Sequence, residues 1–176
     1  MIRNQVTRGH PFAVALLLTV VLGAMTTAAQ MSVPTGRDTL RGLPGVEVLV
    51  EPLDTAVQRA GLSQSAIQSD VEARLRSKGI TVFATQADNP SPAKAYLYVH
   101  VNAIALPENG GFAVAVQLQV RQTLRSLVTN SIVVNAMTWD AHNVVVAPAS
   151  ALPEIRTEIL SYVDLFVRDW LATHGG

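Results

Sequence analysis

Two long runs of alternating residues face each other across a short break, and this limits the fold more than any other feature of the chain. Residues 95–106 and 112–124 alternate apolar and polar side chains, with Pro107-Glu108-Asn109-Gly110-Gly111 between them. A period of two marks strands with one buried face. Asn-Gly is the strongest short signal for a hairpin turn. With Asn109-Gly110 as a two-residue turn, Val99 faces Val120, Val101 faces Leu118 and Ala103 faces Val116. On the other face Tyr96 meets Thr123, Tyr98 meets Arg121, His100 meets Gln119 and Asn102 meets Gln117. A slip of one residue would mix the two faces, so the alternation selects this pairing over its neighbours.

The remaining elements arrange themselves around that hairpin. Residues 46–51 alternate around Val46, Val48 and Val50, which reads as a strand ended by Pro52. Residues 63–78 read as a helix. Ser63 is placed as its N-cap, Leu62 and Ile67 have the spacing of a hydrophobic staple, and Ile67, Val71 and Leu75 form the apolar stripe. Gly79 is placed to close it, and Asp70, Glu72, Arg74, Arg76 and Lys78 are expected largely on the solvent side. A β-branched run at 80–85 predicts a second strand parallel to the first. Residues 132–139 predict a fifth strand, extended over 143–146 beyond a kink at Asp140-Ala141-His142. Residues 150–172 predict a second helix with Ser150 as its cap, Pro153 in its first turn and a stripe from Ile155 to Trp170. The order is β-α-β-β-β-β-α. It specifies an α+β fold: a single mixed β-sheet of about five strands with two helices packed on one face.

The chain is expected to divide into a signal peptide over 1–29, a flexible lead-in over 30–45, a single domain over 46–172 and a frayed tail over 173–176. Arg3, Arg8 and His10 form a basic n-region, 12–25 is an apolar run, and Thr27-Ala28-Ala29 supplies small residues before a cleavage point at Gln30. The apolar run is shorter than the roughly 20 residues of a membrane span. A retained anchor is the alternative to cleavage. No second run of spanning length follows, so no membrane span is expected after cleavage, and the product is expected to be periplasmic or extracellular.

Charge and composition narrow the functions. Arg3 and Arg8 account for two of the 13 basic residues, so the chain after residue 29 carries 11 basic and 13 acidic side chains. That balance provides no electrostatic footprint for nucleic acid or anionic lipid. With no cysteine, disulfides, thiol catalysis and lipid attachment through a thioether are excluded. The histidines after residue 29 are His100, His142 and His174. Asp140 and His142 are a carboxylate and an imidazole two residues apart, which favours a surface turn over a catalytic pair. His100, His142 and Asp140 are the candidate metal ligands, and nothing in the sequence converges them. Asn109-Gly110-Gly111 joins two strands and opens no helix, so it is not a phosphate loop. No cofactor and no catalytic residue is expected.

What remains is the polar face of the hairpin. Tyr96, Tyr98, His100, Asn102, Gln117, Gln119 and Arg121 are the candidate interaction face, with Tyr98 and Arg121 as a cation–π pair. Exposed Tyr and Arg are the residue types enriched at binding hot spots. An ordinary half-solvated sheet face, or one covered by the N-terminal lead-in, is the plainer reading. A sheet edge that accepts a partner strand is a third.

The layout of Val46-Glu47-Val48-Leu49-Val50, a helix, a long hairpin and a C-terminal helix resembles the small α/β domains of bacterial envelope proteins. These are the TolB N-terminal domain and the LptE-type and CsgG-type assembly proteins. The resemblance spans about residues 45–172 and rests on layout without a shared motif. It implies an exported accessory module whose partner is another envelope protein, and it supplies no site residues. The sequence leaves the oligomeric state open. A small-molecule or lipid carrier, holding its ligand between the sheet and the C-terminal helix near Trp139 and Trp170, is the alternative function. A hydrolase using Asp140 and His142 is the third.

Overall fold

The computed structural model describes residues 36–108 and 110–175. The expected signal peptide, and the lead-in up to residue 35, lie outside the described residues.

Five strands make one mixed sheet: β1 (Val46–Val50), β2 (Val82–Phe83), β3 (Tyr96–Leu106), β4 (Gly111–Arg125) and β5 (Ile132–Pro148). Their order across the sheet is β2-β1-β3-β4-β5. β1 runs parallel to both β2 and β3, and β3, β4 and β5 are antiparallel in series. A short helix, α1 (Thr55–Arg59), follows β1. It is capped by Asp54, whose carboxylate accepts from the Ala56 N–H at 2.7 Å. The longer helices α2 (Gln64–Ser77) and α3 (Ile155–His174) pack on one face of the sheet. The α+β class and the element order agree with the sequence reading.

Each expected element is present, with bounds set by local chemistry. Ser63 caps α2 through its hydroxyl, which accepts from Ala66 N at 3.3 Å. Leu62 and Ile67 are both buried, as a staple requires. β2 is only two residues long against the six expected. Ile80 is taken by the end of α2, donating its N–H to Leu75 O at 3.1 Å, and Thr85 opens a short 3-10 turn closed by the Asp88 carboxylate. The shortness of β2 leaves β1 carbonyls without a strand partner. Two glutamines of α2 supply one instead: Gln68 donates to Val48 O and Gln64 to Val50 O, both at 2.8 Å. A buried carbonyl must find a donor somewhere, and here the helix provides it.

The hairpin register differs from expectation by two residues. Val101 faces Val116, Val99 faces Leu118, Tyr98 faces Gln119 and Tyr96 faces Arg121. Leu106 pairs Gly111, so the connection is four residues, 107–110, and not a two-residue turn at Asn109-Gly110. Gly110 has φ +64°, the left-handed conformation that favours glycine. A shift of two preserves the face of every side chain, so alternation alone does not distinguish the two registers.

β5 is one continuous strand through Asp140, Ala141 and His142, without the expected kink. Its irregularities lie earlier, where the pairing with β4 shifts between Val120 and Arg121 and again between Gln122 and Leu124. Residues 149–154 form a 3-10 turn before α3, so Ser150 is not the helix cap. The helix continues through the expected frayed tail to His174. There the imidazole stacks on Trp170 at 4.2 Å, and its Nε2 lies 3.0 Å from Leu43 O.

The core lies between the helices and the sheet face carrying Val46, Val48, Val99, Val114, Val116, Leu118 and Val120. Trp139 and Phe166 are fully buried and meet edge to face at 5.4 Å. The described part of the lead-in joins this core. A 3-10 turn over Arg37–Leu40 places Leu40 at zero exposure, and Leu43 is also buried. Burying two leucines offsets part of the entropy of ordering the segment. Opposed charges also join the two long helices: Arg156 Nε meets Asp70 at 2.7 Å and Arg74 meets Asp164 at 2.9 Å.

Candidate functional site

The sheet face opposite α2 and α3 carries the candidate residues in three rows across the strands. Tyr96 and Arg121 share one row with Glu47. Tyr98, Gln119 and Asp140 share the next with Leu49. His100, Gln117 and His142 share the third, beside Glu51. The strand periodicity places the hairpin's side chains together. Glu51 and Asp140 join them through the parallel neighbour β1 and the outer strand β5, which the hairpin alone does not reveal.

The centre of the face is an organised polar cluster. Glu51 Oε2 accepts from the Tyr98 hydroxyl at 2.5 Å and pairs with His100 Nδ1. The Tyr98 and His100 rings lie nearly parallel, 8° apart. Arg121 sits over the Tyr98 ring at 4.4 Å from its centroid, within range of a cation–π contact. It also donates to Gln119 Oε1 through Nε at 3.0 Å and Nη2 at 2.8 Å. The expected Tyr98–Arg121 pair therefore forms, but diagonally, because the register places Tyr96 directly opposite Arg121.

Two candidates sit differently from expectation. Tyr96 is buried, its ring edge-on to Tyr98 at 6.4 Å, so it flanks the cluster and offers little surface. Asn102 is exposed at the margin of the row, where β4 presents Ala115 and β5 presents Val144. The face thus passes from a polar half into an apolar one, with Ile104, Val144 and Val146 all exposed.

The electrostatics follow from these contacts. The Tyr98 hydrogen bond holds the Glu51 carboxyl below its usual range against the opposing effect of burial, and His100 and Arg121 add to the lowering. Burial first, and the Glu51 hydrogen bond second, push the Tyr98 phenol up to about 12. At the far end of the sheet burial raises the Glu47 carboxyl, with Asp88 adding to the effect. Asp140 and His142 do come together, at 2.8 Å between Oδ2 and Nδ1, but on the surface of β5 and not in a turn. Among the described residues no group of three or more His, Asp or Glu is placed to hold a metal ion. No helix among them is long and apolar enough to cross a membrane.

The sequence reading does not single out Asp169. It is almost fully buried on α3 and accepts from Trp139 Nε1 at 3.0 Å, while Arg37 and Arg168 approach its other oxygen at 3.2 and 3.1 Å. Its position beside the helix stripe, one residue before Trp170, is the available signal.

No family model matches the sequence, and no curated protein does. Among solved structures, the chain is similar to a PelC dodecamer from Paraburkholderia phytofirmans and to a single-substitution form of that dodecamer. Each has 15% identity and a TM-score of 0.42, with 77% of this chain covered and 92% and 93% of theirs. At that identity and score the likeness assigns no function.

Proposed function

We propose that the chain is an exported, non-enzymatic binding or assembly module that contacts another protein of the cell envelope through its helix-free sheet face. The observation that carries this reading is the Glu51–Tyr98–His100–Arg121 cluster. An ordinary solvated face has side chains that point separately into water. Here a carboxylate, a phenol, an imidazole and a guanidinium are fixed against one another, so a partner meets groups whose side-chain entropy is already lost. The adjoining exposed Ile104, Val144 and Val146 supply the apolar area that a polar cluster lacks. The basic and apolar N-terminus and the layout resemblance to envelope domains support export. Gln30 is the expected first residue of the mature protein.

The carrier reading is less well supported. Phe166 fills the space between Trp139 and Trp170, in ring contact with both at 5.4 and 5.6 Å. A hydrolase reading needs a nucleophile and a cleft beside His142, which instead stands on the open surface of a continuous strand.

The test is crosslinking with mass spectrometry on the protein in its native envelope, wild type against Tyr98→Ala/Arg121→Glu. A partner captured by the wild type and lost from the folded double variant supports the face. A partner retained by the variant removes it.

A further inference from the structure

β5 is the outer strand of the sheet, and its free edge is guarded unevenly from Thr138 onward. Gly36 sits directly on Thr138 O, so closely that a Cβ there would lie 1.6 Å from it. The Val144 N–H is taken by the Asn143 side chain at 2.9 Å, and Pro148 has no N–H to offer. Alternate residues of a strand direct their backbone groups to the same edge, and the register with β4 is unbroken from Gly111 to Val120. The side-chain partner at Val144 and the proline at 148 both mark the edge turned away from β4. Val146 belongs to that set, so its N–H and C=O face outward between the two guards.

Beside Val146 the edge borders a groove of about 480 Å³ against the start of α3, lined by Val145, Ala147, Pro148, Glu154, Ile155 and Glu158. The two glutamates are four residues apart, a spacing at which like charges repel. Tyr162 donates to Glu158 Oε1 at 2.5 Å. No cation among the described residues pairs with either carboxylate; Arg156, which lies between them in the chain, pairs with Asp70. Asn143 is on the same side of β5 as Val145 and Ala147. It is 7% exposed, and its Nδ2 has no hydrogen-bond partner. An open strand edge thus meets uncompensated negative charge and a buried donor.

We propose that this groove docks a short extended segment of a partner protein in which basic and apolar residues alternate. The segment pairs its backbone with Val146 and turns Lys or Arg toward Glu154 and Glu158. Its apolar residues lie beside Val144 and Val146, which are exposed on the other side of the strand. Charge and backbone select this occupant. A second copy paired β5 to β5 brings no Lys or Arg between Ser126 and Pro148 to answer these acids. The chain's other edge strand, β2, has two residues and neither is basic. A lipid layer would bury the open Val146 groups and the carboxylates without partners. The site goes beyond the proposed Tyr98–Arg121 surface and does not rest on it.

The experiment titrates the isotope-labelled mature chain with acetyl-Val-Lys-Val-Lys-Val-amide and follows each backbone amide by NMR. The expected result is shift changes confined to 144–148 and 154–158, with slowed hydrogen exchange at Val146 N. Acetyl-Val-Glu-Val-Glu-Val-amide should not bind. Glu154→Gln/Glu158→Gln should weaken binding of the lysine peptide about threefold per carboxylate at low salt, and less at high salt. Glutamine keeps an acceptor for the Tyr162 hydroxyl, so the fold is retained. The proposal is overturned if the lysine peptide leaves these residues unshifted, if the glutamate peptide binds equally well, or if the double variant binds undiminished. Spermidine alone producing the same shifts, with no protection of Val146 by the peptide, would reduce the groove to a cation site and overturn it. So would protection of Val146 that rises with protein concentration in the absence of peptide, which would assign the edge to a second copy.

Discussion

The indole N–H of Trp139 donates to the Asp169 carboxylate at 3.0 Å inside the core. This contact ties the fifth strand to the last helix. The second carboxylate oxygen receives Arg37 and Arg168, so the same residue also anchors the segment that precedes the first strand. Three parts of the chain far apart in sequence meet at one buried acid.

Replacing that acid separates its roles. Asp169→Ala leaves the Trp139 N–H buried without an acceptor and should cost about 1–3 kcal/mol. Asp169→Asn keeps an acceptor for the indole and should cost less, while releasing Arg37. Urea unfolding of both variants checks the order. Equal losses would mean that the ion pairs, and not the indole bond, carry the stability.

The α2 glutamines stand in for a missing strand. Gln68→Leu removes the donor to Val48 O, and Gln64→Leu removes the donor to Val50 O. Each should destabilise the fold by about 1 kcal/mol. The two losses together should exceed those of exposed controls such as Arg59→Leu. Denaturant midpoints measure this directly.

How much of this is legible in the sequence depends on the kind of signal. The strands and helices announce themselves by period, and Ser63, Leu62 and Gly79 mark the ends of α2. The hairpin register is not fixed by period, because a shift of two keeps Val99, Val101 and Ala103 on the same side. Only the four-residue connection between Leu106 and Gly111 decides between the registers. By alternation Tyr96 is as exposed as Tyr98. It is nevertheless buried, with its ring edge-on to Tyr98, and period alone does not report such packing. Glu51 joins the site for the same reason, since parallel pairing of β1 with β3 is a long-range contact. Leu40 and Leu43 read as lead-in because Gly, Pro and Thr surround them, yet two buried leucines outweigh that local composition.

The Glu51–Tyr98 pair makes stability depend on pH at both ends, through the hydrogen bond at Glu51 and through burial and then that bond at Tyr98. The Glu51 carboxyl is depressed in the folded protein, so its contribution is present above its ordinary value of 4.5 and is lost as pH falls through the folded pKa. Tyr98 is raised from 10.0 to about 12. Its contribution is present below about pH 10 and is lost as pH rises toward about 12. Tyr98→Phe should therefore move the acid unfolding midpoint to higher pH and flatten the loss of stability at the alkaline end. Melting temperatures from acid to alkaline pH test both limbs, and an unchanged acid midpoint would dissociate Tyr98 from Glu51.

A close approach accounts for Gly45. A Cβ there would lie 2.4 Å from Thr81 O and 2.9 Å from the Phe83 ring, where β1 begins its short pairing with β2. Gly45→Ala should push β2 away and cost about 1–3 kcal/mol. Hydrogen exchange at Val46 N, which donates to Thr81 O at 3.0 Å, should accelerate in the variant. Unchanged protection would show that β2 yields without loss.

Whether the Tyr98–Arg121 face binds a partner is read out by site-specific photocrosslinking. A photoreactive residue at Gln117, between His100 and His142, is compared in living cells with one at Arg59 on α1. A binding face should give a discrete crosslinked species from position 117, none from position 59, and loss of the species when Arg121→Glu is added. Crosslinks of equal yield from both positions, or a species at position 117 that survives Arg121→Glu, would contradict it.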